Sequence, residues 1–208
     1  MSDLIIDSSK SGVYLGISGK QSFWEYKAEA RGEKLQDFLQ QALSEVDLNI
    51  SAIKRILVFT GPGSFTGLRA GIAFAQGLCF NGKRQLYGLS SLAAYFHYAQ
   101  KALALGKIMV AMPARPGFFY VGYGGMSNGN LRAELFISEK DLKLLCKDYH
   151  IVLAEEKYLE EFKGVAKSVN IVQDMDVFKF SPLSFEQINP NPLQVANYLQ
   201  VSYAEREK

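Results

Sequence analysis

Histidine, cysteine and an excess of either charge are what this 208-residue sequence has little of. Each shortage removes a class of function. The two histidines, His97 and His150, stand far apart and form no metal-ligand pair at helical spacing. His97 lies in Tyr95-Phe96-His97-Tyr98 on a helical stretch, where a packed or surface histidine is expected. The two cysteines, Cys79 and Cys146, sit in apolar helical surroundings without metal or redox spacing, so buried thiols in a reducing compartment are expected. With 23 Lys+Arg against 21 Asp+Glu the net charge is +2, too balanced for nucleic-acid binding by bulk electrostatics. No apolar run is long enough to span a membrane. The opening MSDLIIDSSK has neither a basic start nor a long apolar run, so no signal peptide is expected and the placement reads as cytoplasmic. What remains, 48% hydrophobic and 21% charged, is the composition of a folded chain of one large domain or two small lobes.

The most informative stretch runs from Thr60 to Phe80, TGPGSFTGLRAGIAFAQGLCF. A strand-like run, Ile56-Leu57-Val58-Phe59, leads into a turn of Gly61, Pro62, Gly63, Ser64, Phe65, Thr66 and Gly67, and a helix follows. Strand, glycine turn and helix is the local plan of many sites where backbone amides face a ligand. The turn matches none of the known loops. A Walker A loop ends in Gly-Lys-Ser/Thr, and here Leu68 and Arg69 follow Gly67. The third glycine of the dinucleotide fingerprint falls one place late. Ser64 is flanked by Pro62 and Thr66 where a nucleophile elbow has glycines. The residues alone favour a turn whose glycines supply unusual φ values, with Thr66 capping the helix.

On a helical wheel Leu68, Gly71, Ile72, Ala75 and Cys79 share one face, Ala70, Phe74 and Gly77 a second, and Arg69, Ala73, Gln76 and Phe80 a third. Only Arg69 and Gln76 are clearly polar. A helix apolar nearly all round is buried on more than one side. One side would cover a sheet; the other calls for a second body, either its own domain or another chain. Gly71, Ala73 and Gly77 would allow close approach.

The rest of the chain reads as strands at Leu4–Ser8, Gly12–Ser18 and Ser22–Ala28, then an amphipathic helix from about Gly32 to Val46. After the central stretch come a strand at Gln85–Gly88 and a helix from Ser90 to about Leu105. Gly106 is the expected boundary between lobes spanning 1–105 and 106–208. The second lobe is expected to hold strands at Lys107–Met112, Gly117–Gly124 and Leu131–Ser138, the last pair joined through Asn128-Gly129. A helix opened by Ser138 and Asp141, a strand at Ile151–Ala154, a charged helix at Glu155–Lys163 and a strand at Ser168–Val172 follow. Asp174–Pro190 reads as loop with a turn or two of helix. Asn191 as cap and Pro192 at the first turn predict a final helix to about Glu205.

GPGSFTGLRAG resembles the signature of the TsaB (YeaZ) family, the bacterial partner of TsaD. The likeness extends to Ile5-Ile6-Asp7-Ser8-Ser9, Ser90-Ser91-Leu92 and Ala114-Arg115. The resemblance implies an α/β fold of two lobes of the actin/Hsp70/sugar-kinase (ribonuclease H-like) class, the second lobe smaller and diverged. It implies a non-catalytic scaffold for tRNA threonylcarbamoyladenosine modification, beside a TsaD-like transferase and a TsaE-like ATPase, with tRNA bound only indirectly. No cofactor of its own is implied, though a nucleotide could sit at a partner interface. Docking would run helix on helix, through Leu35, Phe38, Arg69, Ala73, Phe74, Gln76 and Gly77, and the same surface would form a homodimer when the chain is alone.

Two positions depart from the family, and one feature of its TsaD partner is missing. TsaD relatives carry a His-x-x-x-His metal pair, which this sequence lacks. Relatives have an aspartate before Ala-Arg where Pro113 stands, and often begin the first helix with His-Ser where this chain has Gly32-Glu33-Lys34-Leu35. Asp7 and Arg115 are the candidate nucleotide or phosphate residues. In phosphotransferases of the class an aspartate at the Asp7 position faces metal and phosphates; by its own chemistry Asp7 would instead cap its loop amides. Arg115 is otherwise an ordinary turn arginine. The competing function is an ATP-binding phosphotransferase-like enzyme or a glycoprotease-like peptidase of the same superfamily.

Overall fold

Short apolar runs separated by turns build two sheets of five strands each. The computed structural model describes residues 2–10, 12–19, 23–28, 34–125, 131–186 and 188–199. The chain divides into two compact units, Met1–Ser91 with Phe178–Tyr198, and Leu92–Val177 with Leu199.

In the first unit β1 (Ser2–Asp7), β2 (Val13–Ser18) and β3 (Phe23–Ala28) form an antiparallel meander. Helix α1 (Leu35–Glu45) and a single 3₁₀ turn lead to β4 (Ile53–Gly61), which lies parallel to β1. Helix α2 (Phe65–Cys79) returns the chain to β5 (Gln85–Ser90), parallel to β4. The strand order is β3-β2-β1-β4-β5. Alternation divides the sheet's side chains. Leu4, Ile6, Leu15, Ile56 and Val58 pack under α1 and α2 with Leu35, Leu39, Ile72 and Ala75. On the other face Tyr14 and Phe59 meet Phe178, with ring centroids 5.9 and 6.3 Å apart, and Tyr87 meets Phe185 at 4.8 Å. At the sheet's end Arg55 donates two hydrogen bonds to Asp3, of 2.8 and 2.7 Å, and lies over the Phe185 ring. The hydrogen bonds to Asp3 raise the Arg55 pKa.

The second unit begins with α3 (Ser91–Ala102) and repeats the plan. An antiparallel meander of β6 (Ile108–Pro113), β7 (Phe118–Gly124) and β8 (Ala133–Ser138) is followed by α4 (Glu139–Leu145). Strand β9 (His150–Leu153) pairs parallel to β6. A 3₁₀ turn and α5 (Leu159–Phe162) precede β10 (Ser168–Ile171), parallel to β9. The order β10-β9-β6-β7-β8 is that of the first sheet, strand for strand. Ser138 caps α4 as its spacing to Asp141 predicts, accepting from the Asp141 amide. Helix α6 (Asp174–Phe180) and a 3₁₀ turn over 181–186 occupy the stretch read as loop with a turn or two of helix.

Two expectations fail. The charged helix over Glu155–Lys163 is split into a 3₁₀ turn, Glu156–Tyr158, and a four-residue α5, with Phe162 drawn into the core against Phe119. The final helix opened by Asn191 and Pro192 is absent over residues 191–199, which run without helix; its remainder lies outside the described residues. The physical reason is tertiary. The Asn191 amide donates to the Leu86 carbonyl and the Asn197 amide to that of Thr60, so this backbone is bonded to the first sheet instead of to itself. The predicted start of α1 at residues 32 and 33, and the Asn128-Gly129 turn, also lie outside the described residues.

Candidate functional site

The glycine turn is filled by the protein's own chain. β1 ends at Asp7, whose Oδ1 accepts from the Ser9 amide at 2.8 Å, an Asx-type turn that directs Ser8 and Ser9 toward the start of α2. The Ser9 carbonyl accepts from the Ser64 amide at 2.6 Å, and Ser8 Oγ donates to the Gly67 carbonyl at 2.8 Å. The glycines make this approach possible. A Cβ on Gly63 would run into the Ser9 carbonyl oxygen, one on Gly67 into that of Ser8, and one on Gly71 into Ser8 Oγ. Gly61 holds φ +103°, which favours glycine. The helix is capped by Ser64 rather than by the expected Thr66. Ser64 Oγ accepts from the Gly67 amide, and α2 starts at Phe65, which leaves Thr66 inside the first turn. Two of the turn amides, those of Ser64 and Gly67, are thus directed at the Ser9 carbonyl and Ser64 Oγ.

The helix behind the turn divides by face. Leu68, Gly71, Ile72, Ala75 and Cys79 are buried, the five residues that share one face of the wheel. Phe74 and Leu78 pack partly against the same core. On the outer side Arg69, Ala73 and Gly77 are exposed and Phe80, just past the helix, is 93% exposed. A Cβ on Gly77 would meet nothing within 4 Å. Arg84 closes the far end, donating to the Leu78 and Ile50 carbonyls at 2.8 and 3.0 Å, so its charge serves the helix C-terminus.

Along one flank of α2 runs the segment 188–198, here called the strap. Gln76 Nε2 donates to the Gln194 carbonyl at 3.0 Å, and Arg69 Nε to the Tyr198 hydroxyl at 3.2 Å. The Tyr198 ring stacks on Phe65 at 4.7 Å, and the Arg69 guanidinium covers the other partner of that stack, 4.0 Å from the Phe65 centroid. The Gln194 side chain lies where a Cβ on Gly88 would be. Sequence reading missed the strap. The available signal was charge: between Glu186 and Glu205 the sequence carries no charged residue.

The remaining candidates are scattered. Leu35 is buried in the core of the first unit and presents no surface to a partner, while Phe38 is half-buried against the Tyr26 ring at 5.2 Å. Otherwise the outward positions of α1, such as Gln36, Asp37, Gln40 and Gln41, are polar and exposed. Asp7 belongs to the first unit and Arg115 to the second. Arg115 is exposed, its guanidinium 4.2 Å above the Phe118 ring, which stacks on Phe136 at 5.1 Å. His97 is buried, and His150 Nδ1 lies 2.8 Å from Ser168 Oγ. Among the described residues no group of three or more His, Cys, Asp or Glu is placed to hold a metal ion. Both cysteines are free and buried, and burial pushes both thiols up in pKa. No described helix is long and apolar enough to cross a membrane.

A family model described as TsaD, tRNA N6-adenosine threonylcarbamoyltransferase, matches residues 25–145, more than half the chain and including the whole glycine turn and α2. The chain belongs to the TsaD family, as one of its TsaB (YeaZ) members. It is 27% identical over 127 residues to the tRNA threonylcarbamoyladenosine biosynthesis protein TsaB of Buchnera aphidicola, 59% of this chain and 60% of that protein. It is 30% identical over 88 residues to TsaB of Escherichia coli, 42% of this chain and 38% of that protein. The aligned part is thus under two thirds of the length of either relative. A solved Pseudomonas aeruginosa protein described by its similarity to the peptidase YeaZ has the same fold. The TM-score is 0.75 at 19% identity, over 96% of this chain and 99% of that one. The two five-stranded units of this TsaB-family chain are those of the actin-like two-lobe class.

Proposed function

We propose that this chain serves tRNA threonylcarbamoyladenosine biosynthesis as an accessory subunit that docks a TsaD-like transferase through the outer face of α2. One observation carries the reading: an exposed, nearly uncharged helix face stands behind a turn whose Ser64 and Gly67 amides are engaged by the protein's own Ser9 and Ser64. Between Arg55 and Lys83 the sequence has Arg69 as its sole charged residue, and charge is depleted at the core of protein interfaces. Ala73 and Gly77 let a partner helix approach closely, and Phe80 is a large anchor at the edge. Phe38 and Phe74, both half-buried, contribute at the margin, and Leu35 acts as a core residue. With no transferase subunit present, a second copy occupies the same face. A TsaE-like ATPase joins the assembly, and tRNA is met through the transferase subunit.

Co-expression with the TsaD-like subunit of the same organism, followed by size-exclusion chromatography and measurement of threonylcarbamoyladenosine in tRNA, tests this. A stable complex and restored modification are expected, and Ala73→Arg is expected to remove both while the chain stays folded. No complex and no effect on modification would overturn the reading. So would ATP turnover by the purified chain that disappears in Asp7→Ala.

A further inference from the structure

We infer that the strap is the second half of the docking surface, and that the helix of a TsaD-like subunit seats on α2 and the strap together. This rests on the reading of α2 as the docking helix. Extended backbone sends alternate side chains to opposite sides. Gln194 and Ala196 turn inward, Gln194 onto Gly88 and Ala196 onto the core, while Leu193 and Val195 are 73% and 77% exposed. The bonds from Gln76 and Arg69 to the Gln194 carbonyl and the Tyr198 hydroxyl fix the strap beside the helix, running opposite to it. Leu193 and Val195 therefore flank the residue bonded to Gln76, whose turn of α2 also carries Ala73, Gly77 and Phe80.

The charge pattern selects the occupant. Helix and strap together carry one charged side chain, Arg69, in a chain that is 21% charged. An RNA or an acidic peptide would find no cationic surface here, whereas a neutral helix would lose no solvated charge on seating. The matched family model spans α2, so a transferase of that family brings an aligned helix of its own to the contact.

The test measures affinity between the full chain and the TsaD-like subunit by isothermal titration calorimetry. The variants are L193D/V195D, the milder L193S/V195T, and A73R. If the strap contributes, L193D/V195D weakens binding at least about tenfold, as loss of an anchor at an interface does, and L193S/V195T weakens it less. Thermal unfolding of both strap variants is expected to match the parent, since both side chains face solvent. Unchanged affinity in both strap variants, with A73R abolishing binding, would overturn the strap's role and leave the docking reading intact. Unchanged affinity in A73R as well would overturn the docking reading itself. Loss of self-association in the strap variants with transferase affinity unchanged would assign the strap to a homodimer and overturn the proposed occupant.

Discussion

The two units run their strands in one order and part company at the hairpin after the first strand and the helix after the fourth. In the first unit the hairpin residues Ser8 and Ser9 press against Gly63, Gly67 and Gly71, and the helix that follows has fifteen residues. In the second unit the corresponding hairpin turns at Gly117, where a Cβ would meet nothing within 4 Å, and the helix has four residues. The interlocked hairpin and turn fix the start of α2 and free its outer face for other work. The second unit's short α5 is anchored in the core through Phe162.

Phe162→Ala removes the residue that ties α5 to Phe119 and Leu142, and should cost about 4 kcal/mol in urea denaturation. Gly67→Ala forces a methyl group onto the Ser8 carbonyl, and about 2–3 kcal/mol of destabilisation is expected in the same measurement. Gly117→Ala, at φ +74° in open space, should lose only about 1 kcal/mol. If the two glycine substitutions proved equal, the contrast between closed and open hairpins would fail. Each unit holds one buried thiol, Cys79 and Cys146, with its pKa raised by burial. A raised folded pKa means that this contribution is fully present below the ordinary thiol range and lost as pH rises through the raised values. Urea midpoints should therefore fall in the alkaline range, and less steeply in Cys79→Ala. The smallest effect on stability is expected for Phe80→Ser, within about 0.5 kcal/mol, because the ring is exposed. Its consequence should appear in association with the transferase subunit, measured by calorimetry.

Periodicity made most of the fold legible. Leu68, Gly71, Ile72, Ala75 and Cys79 announced their buried face because a helix against a sheet must repeat every three or four residues. The Ser138–Asp141 cap is a local signal and was equally readable. The strap was not, because Asn191-Pro192 is a sound helix start by local chemistry, and only the distant Leu86 and Thr60 carbonyls make an extended path better. Thr66 was the expected cap; the cap is Ser64, whose amide the Ser9 carbonyl holds at the helix entrance. Leu35 has the residue type of an interface anchor, and only packing against the sheet reveals it as core. Of the site, the outer stripe of α2 could be read from the sequence, and its neighbour in the strap could not, since contact across more than a hundred residues leaves no spacing to count.

The first unit is also discontinuous along the chain, and this bears on the order in which the protein is made. Met1–Ser91 leaves the ribosome early, but Phe178–Tyr198 follows only after Leu92–Val177 has been synthesised. At the usual pace of translation that interval is roughly 4–17 s. Throughout it the flank of α2 and the Leu86 and Thr60 carbonyls stand uncovered on the nascent chain. The unit that begins first is therefore completed only after the body of the second has been made.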